Sequence, residues 1–355
     1  MKPHISLFLP AAAAAFLPLS PKQTVALYTS DVCVGHDPGR GHPEAPARLR
    51  GLLSALRNEW VPEFGQHLRV FDEREADVTD EQLLRVHTVD HVAKVSAAFD
   101  RAKRGLNPVI GMRVNIDADT IVSPGTQAAA RRGAGLVVAA VDDLLSRRGW
   151  VGGPFTGTNK RPRRAFVMVR PPGHHAEADG PQGFCFFNNV MVGVAHAQAV
   201  HGVRRVAILD FDVHHGNGDA DIAWAQQNRL YASTHEVPLY PGTGETAGRD
   251  RNVLSVPLSA NAGSAEFRRA WRSRLLPAVR MFNPEVVFLS SGFDAHKDDP
   301  LSSVTLTDDD FAWITAEVAS LGFGRIPIIS VLEGGYNVKQ LEQSVRTHVL
   351  ALINS

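Results

Sequence analysis

Val206-Ala-Ile-Leu-Asp210-Phe-Asp212-Val-His214-His-Gly-Asn217-Gly218 runs from an unbroken apolar segment straight into carboxylates, imidazoles and glycines. Apolar residues without polar alternation are what a strand covered on both faces needs, and such strands build parallel α/β sheets. The pattern repeats at Ala165–Val169, Leu230–Ser233, Val286–Leu289 and Ile326–Leu332. Helical patterns lie between or after these runs, at Asn188–His201, Ser264–Met281, Asp308–Leu321 and Val338–Ile353. Upstream come a strand at Thr24–Tyr28, a helix near Ala45–Leu56, a strand near Arg69–Phe71 and a T-x-x-Q helix cap at Thr79. A long helical stretch, Gln127–Leu145, precedes a Gly/Pro/basic loop, Val151–Arg164. This alternation predicts a single α/β domain over residues 24–355, a central parallel sheet with helices on both faces. Ligands of such sheets sit beyond the carboxyl ends of the strands.

Composition narrows the function classes. The 355 residues carry 37 Lys+Arg against 37 Asp+Glu, so no whole-surface basic field exists and direct nucleic-acid binding is not expected. Cys33 and Cys185 are too few and too far apart for a disulfide framework or a zinc knuckle. Cys185 follows Phe184 in an apolar run and reads as a packed thiol rather than a nucleophile. Residues 1–23 form a separate N-terminal extension, apolar and Ala-rich. Pro10 and Pro18 interrupt it, so it lacks the about 20 unbroken apolar residues of a membrane span. Lys2 and the alanines at 11–15 also suit a targeting leader, so the extension reads either as that or as disordered chain. Cytoplasmic or nuclear residence is the default expectation, organelle targeting the alternative.

The strand ends carry the chemistry. Asp210, Asp212 and His214 alternate with period two, which puts the three side chains on one side if the segment stays extended. Asp212 and His214, joined by Asp294 after strand 286–289, offer two carboxylates and one imidazole, the makeup of a catalytic zinc site with an open fourth position. On its own the D-x-H pattern also suits an N-cap and a solvated histidine. With Asp294, the His174–His175 pair and Tyr336 also at strand ends, the set favours metal. His174 and His175 follow Pro171-Pro-Gly173 on a restricted turn, where one ring can take a proton while the other supports it. Asp210 is suited to orient one ring and Asn217 the other. Glu333-Gly-Gly-Tyr336 sets a phenol on a diglycine, where its hydroxyl could donate to an oxyanion. His196 and His201, on a helix, read as surface residues. Asn159-Lys-Arg-Pro-Arg-Arg164 reads as the solvated end of a surface loop, against a localisation signal or a phosphate patch.

Six motifs in order, RPPGHHA (170–176), GFCFFNN (183–189), DFDVHHGNG (210–218), PGTGE (241–245), SSGFDAH (290–296) and EGGYN (333–337), resemble the histone deacetylase and acetylpolyamine amidohydrolase family. That resemblance implies an arginase/deacetylase-like α/β fold over nearly all of residues 24–353. GFCFFNN and HHGNG look like class II enzymes, class I members usually having Asp where Asn217 stands. Residue by residue, the resemblance implies Zn²⁺ on Asp212, His214 and Asp294. It implies His175 as general base and then acid, and His174, paired with Asp210, as its electrostatic partner. Tyr336 would polarise the scissile carbonyl, and the class IIa replacement of this Tyr by His is absent. Gly183, Phe184 and Tyr240 would line the acyl-lysine tunnel. A structural K⁺ would take Asp210, Asp212, His214, Ser233 and Thr234. Leu301 falls where polyamine-selective relatives carry a gatekeeping Glu, and an apolar residue there offers no salt bridge to a cationic polyamine.

The expected activity is zinc-dependent hydrolysis of acetyl-lysine in a peptide or protein. Acetylated polyamines or other small acylated amines are the alternative substrates. A non-catalytic acyl-lysine reader would leave His174, His175 and Tyr336 without a purpose. A two-Mn²⁺ ureohydrolase on the same fold would need bridging carboxylates, but His215-Gly216 and Ala295-His296 follow His214 and Asp294.

Overall fold

Each apolar run becomes a strand because no position along it offers a face to water. In the computed structural model, which describes residues 22–72, 74–104, 112–146, 162–246 and 248–355, nine strands form one sheet. They are β1 (Val25–Tyr28), β2 (Leu68–Phe71), β3 (Arg164–Val167), β4 (Val206–Asp210), β5 (Arg229–Val237), β6 (Gly248–Asp250), β7 (Val253–Ser259), β8 (Val286–Ser291) and β9 (Ile328–Leu332). Their order is β2-β1-β3-β9-β8-β4-β5-β7-β6. All neighbours pair parallel except β6, which runs antiparallel to β7 at the edge. Four central strands, β3, β9, β8 and β4, are buried at every residue.

The longer helices are α1 (Ala47–Ala55), α2 (Val89–Arg104), α3 (Thr126–Leu145), α4 (Asn189–His201), α5 (Asn217–Trp224), α6 (Ser264–Ala270), α7 (Leu276–Phe282), α8 (Asp308–Ala319) and α9 (Val338–Asn354). Strand alternation shows both faces in use. Ser290 reaches Asp219 on α5 with its hydroxyl, whereas Ser291 next to it bonds Ser330, which bonds His348 on α9. Most of the expected elements form within a residue or two of their expected ends. Thr79 builds a complete capping box with Gln82, although the helix it starts, Asp80–Leu83, is a single turn.

Several expectations are corrected. β7 is absent from the expected strands; Pro257 lies inside it, as the register partner of His235 on β5. β5 runs on to Val237, which puts Thr234 and His235 inside a strand rather than after one. The helical stretch from Ser264 runs through to Phe282 as expected, but a π-helical turn at Trp271–Leu275 joins α6 to α7, where Pro277 has no N–H for a regular bond. Arg164 is not a solvated loop end. It is buried in β3 and donates to the carbonyls of Leu352 and Ala319. The remainder of the basic run up to Arg161, and the extension up to Pro21, lie outside the described residues.

Candidate active site

Four adjacent strand ends supply the site. β4 ends at Asp210, and the chain beyond it bends instead of staying extended, so the period-two argument fails for Asp212 and His214. Carboxylates shape the bends: Asp210 Oδ1 accepts the N–H of Asp212 (3.0 Å), and Asp212 Oδ1 that of His214 (2.9 Å). The side chains still converge. Asp212, His214 and Asp294 are fully buried or nearly so, and each offers a ligand atom within 4.8 Å of the others. Asp212 does not cap α5, whose N-cap is Gly216.

This trio fits a cation. His214 Nδ1 lies 3.0 Å from Asp212 Oδ1 and 3.2 Å from Asp294 Oδ2, one nitrogen facing two carboxylates. Backbone amides of Gly334 and Val213 hold Asp212 Oδ2 and Asp294 Oδ1, at 2.8 and 2.9 Å. The remaining oxygen, Asp294 Oδ2, accepts no well-formed hydrogen bond and has only the His214 ring nitrogen beside it at 3.2 Å, so two carboxylates share one imidazole where a cation would serve both. Gly334 is needed here, because a Cβ at that position would collide with both carboxylates. Burial and the charge of Asp212 raise the pKa of Asp294. Burial opposes protonation of His214, but Asp212 and Asp294 hold its pKa up at about 10. The pocket draws positive charge.

His174 and His175 sit on the turn after β3, their rings 4.0 Å apart. Glu333, at the end of β9, fixes that turn by accepting the N–H groups of Gly173 (2.7 Å) and His174 (3.1 Å). The two rings then diverge electrostatically. Burial works against charging His174, but Asp212 and Asp210 outweigh it and raise its pKa well above the usual range; its Nδ1 lies 3.2 Å from Asp210 Oδ2. His175 is held well below that range by burial and by the positive rings of His174 and His214, and its Nδ1 meets Asn217 Oδ1 at 2.8 Å. One ring is cationic and its neighbour neutral, the division of labour that acid–base chemistry uses.

Tyr336 closes the set. Burial pushes its phenol well above its usual pKa, so it stays a donor. Two residues missed in the sequence hold it. Asp299 Oδ2 accepts the N–H of Tyr336 (2.6 Å), and its Oδ1 accepts that of Leu301 (3.0 Å). Arg48, buried on α1, donates to the carbonyls of Gly335 (2.6 Å) and Glu333 (2.5 Å) and lies 4.9 Å over the Tyr336 ring. Glu44 pairs with both Arg48 and Arg170. A charged i,i+4 pair at the start of α1 is all that the sequence shows of this network.

Phe184 stands edge-on to Tyr336 at 5.9 Å, and Tyr240, partly exposed, stands perpendicular to His175 at 5.0 Å. Gly183 lies between them; a Cβ there would strike the His175 and Tyr240 rings. Cys185 is buried, its thiol pKa raised well above normal by burial. Ser233 is the register partner of Asp210, its hydroxyl on His235 Nδ1 at 2.9 Å, and Thr234 Oγ1 accepts the Trp271 indole N–H at 3.0 Å.

Among the described residues a second group of metal-ligand type, Asp142 with His196 and His201, lies away from this site. His196 is buried, contrary to its expected place on the surface, and both rings reach Asp142 Oδ1 at 2.7 Å. Arg85 donates to His196 Nδ1, which leaves the hydrogen on Nε2 facing the carboxylate. The group is a strut between α3 and α4.

Compared with known proteins, residues 42–352 match the family described as the histone deacetylase domain. The chain is 36% identical over 326 residues to histone deacetylase 6 of Caenorhabditis elegans, covering 86% of this chain and 31% of that protein. It is 35% identical over 308 residues to a histone deacetylase-like amidohydrolase of Pseudomonas aeruginosa, covering 84% of this chain and 73% of the other. The solved HDA15 HD domain is similar with a TM-score of 0.80 at 30% identity, over 93% of this chain and 88% of that one. The chain thus spans about a third of the nematode relative's length.

Proposed function

The chain belongs to the histone deacetylase family, and from that membership we propose that it is a zinc-dependent amidohydrolase acting on acetyl-lysine in a peptide or protein. Its catalytic domain is residues 24–355. What carries the reading is the convergence of Asp212, His214 and Asp294, two carboxylates sharing one imidazole, beside one neutral and one cationic histidine. Held by that trio, Zn²⁺ would supply Lewis acidity, making water a stronger acid and drawing electron density from the acyl carbonyl.

The chain's own residues do the rest. His175 enters neutral, accepts the proton that the attacking water gives up, and returns it to the leaving amine. His174, kept cationic by Asp212 and Asp210, supports the negative charge that builds up nearby. Tyr336 donates its hydroxyl hydrogen to the carbonyl oxygen as that oxygen gains charge. Phe184, Gly183 and Tyr240 flank the lysyl side chain, and the bare Gly183 lets the His175 and Tyr240 rings close up beside it. Leu301, tied through Asp299 to Tyr336, gives the rim an apolar residue that favours acyl-lysine over a polycation. A K⁺ on Asp210, Asp212, His214, Ser233 and Thr234 belongs to the same proposal, with Asp210 and Ser233 side by side on β4 and β5.

The test is acetate release from an acetyl-lysine peptide and from an acetylated polyamine, each with and without a chelator. Chelator-sensitive turnover of the peptide is expected. Turnover of the polyamine alone would overturn the substrate assignment, and chelator-insensitive turnover would overturn the zinc.

A further inference from the structure

An asparagine can set which nitrogen of a histidine carries the proton only if its own amide is held one way round. The amide has a carbonyl oxygen at one tip and an NH2 at the other. With Oδ1 toward His175, it accepts from Nδ1–H and leaves Nε2 free to take a proton. With the NH2 toward His175, Nδ1 would carry the lone pair and Nε2 the hydrogen, and the ring would lose its accepting position.

The geometry distinguishes the two. Asn217 Oδ1 lies 2.8 Å from His175 Nδ1, while Nδ2 lies 2.6 Å from Glu177 Oε1 and 3.4 Å from the His175 carbonyl oxygen. A carboxylate and a backbone carbonyl both accept only, so they take the NH2 and reject the oxygen. Of the two, the Glu177 bond is much the shorter. Glu177 is itself fixed on the same turn as the histidines: its N–H donates to Gly180 O (2.9 Å) and its carbonyl meets His87 Nδ1 (2.9 Å).

We propose that Glu177 is a positioning residue which locks the Asn217 amide and, through it, the Nδ1–H tautomer of His175. This rests on the reading of His175 as the proton acceptor. Asp at position 217 would present oxygens whichever way it turned, so it would need no such lock. In the chain as it stands, that carboxylate would also face Glu177 at hydrogen-bond distance. Glu177→Ala and Asn217→Asp should therefore each impair the enzyme, and each should relieve the other.

The experiment pairs imidazole ¹⁵N NMR of the purified full chain with steady-state kinetics on an acetyl-lysine peptide. The His175 signals are assigned by their loss in His175→Ala. In the wild type His175 should be the Nδ1–H tautomer. Glu177→Ala should mix the tautomers and lower kcat on the order of tenfold at unchanged KM, short of the roughly 10²–10⁴-fold that acid–base catalysis as a whole supplies. Glu177→Gln offers an oxygen or an NH2 according to its own flip, so it should mix the tautomers in part and lose less kcat than Glu177→Ala. Glu177→Ala/Asn217→Asp should restore the single tautomer and most of the lost kcat. A pure Nδ1–H tautomer in Glu177→Ala, or a double variant whose loss is the product of the two single losses, would overturn the proposal. The general-base reading fails separately, if His175→Ala turns over like the wild type; the tautomer shift then still decides what Glu177 does.

Discussion

Tyr336 illustrates how a site residue is made from burial and from partners that never meet the substrate. Burial keeps its phenol protonated, Asp299 pins its backbone, and Arg48 lies over its ring. Tyr336→Phe keeps the ring and its edge-on contact with Phe184 but removes the one group that can donate. The variant should bind metal at the wild-type ratio and melt at the wild-type temperature, while kcat falls by on the order of 10²–10³-fold, as for one lost oxyanion donor. Unchanged kcat with acetyl-lysine peptide would remove Tyr336 from the mechanism. At this scale the sequence is informative where chemistry is local. His174, His175, Asp212, His214, Asp294 and Tyr336 follow apolar strands directly, and position alone marks them. Asp299, Arg48 and Glu177 are different. Each is ordinary in its own neighbourhood and acquires a role from a partner much further along the chain, Arg48 from carbonyls 285 and 287 residues away.

Between elements, Arg48 ties α1 to the segment after β9. Replacing it by Met would leave Glu44 with Arg170 and His36 only, and two buried carbonyls without donors. Loss of one partner from a buried charged network costs about 3–5 kcal/mol. Arg48→Met should lower the urea midpoint accordingly, and a midpoint equal to the wild type would show that the network contributes nothing net. The same scale explains which elements are legible. The central strands are apolar at every position and declare themselves. β7 does not, because Pro257 argues against a strand unless the pairing around it is known. α4 has no polar face from Val190 to Ala197, and that all-round apolarity is the signal that His196 would be buried. The π-turn between α6 and α7 follows from Pro277, but its position depends on packing that no local pattern reveals.

For the molecule as a whole, buried neutral histidines set an acid limit. His87 and His348 are both held down to about 3, His87 by burial and the neighbouring His91, His348 by burial alone. Unfolded, each would titrate near 6.5, so as pH falls below that value the unfolded chain gains protons that the folded chain refuses. Their contribution to stability is complete above about pH 6.5 and is lost on the way down toward 3, at about 1.4 kcal/mol per group per pH unit. Between pH 7.5 and 5.5, acidification should lower the urea midpoint of His348→Gln less than that of the wild type, because the variant lacks this contribution. An equal pH dependence in the variant would exclude His348 as a contributor.

Asp294 Oδ1 holds the N–H of Val213, 81 residues earlier, so the ligand trio joins two chain segments that are adjacent only in the folded sheet. A cation shared by Asp212, His214 and Asp294 is therefore a cross-link closing a long loop, at the junction of β4 and β8 in the middle of the sheet. Mechanical cohesion and catalysis then depend on the same bonds. Zinc at 100 times its dissociation constant would add about 2.7 kcal/mol to the folded state, worth a few degrees of Tm in a domain of this size. A chelator should remove those degrees from the wild type and none from Asp294→Ala, and hydrogen exchange in β4 and β8 should quicken as the metal leaves.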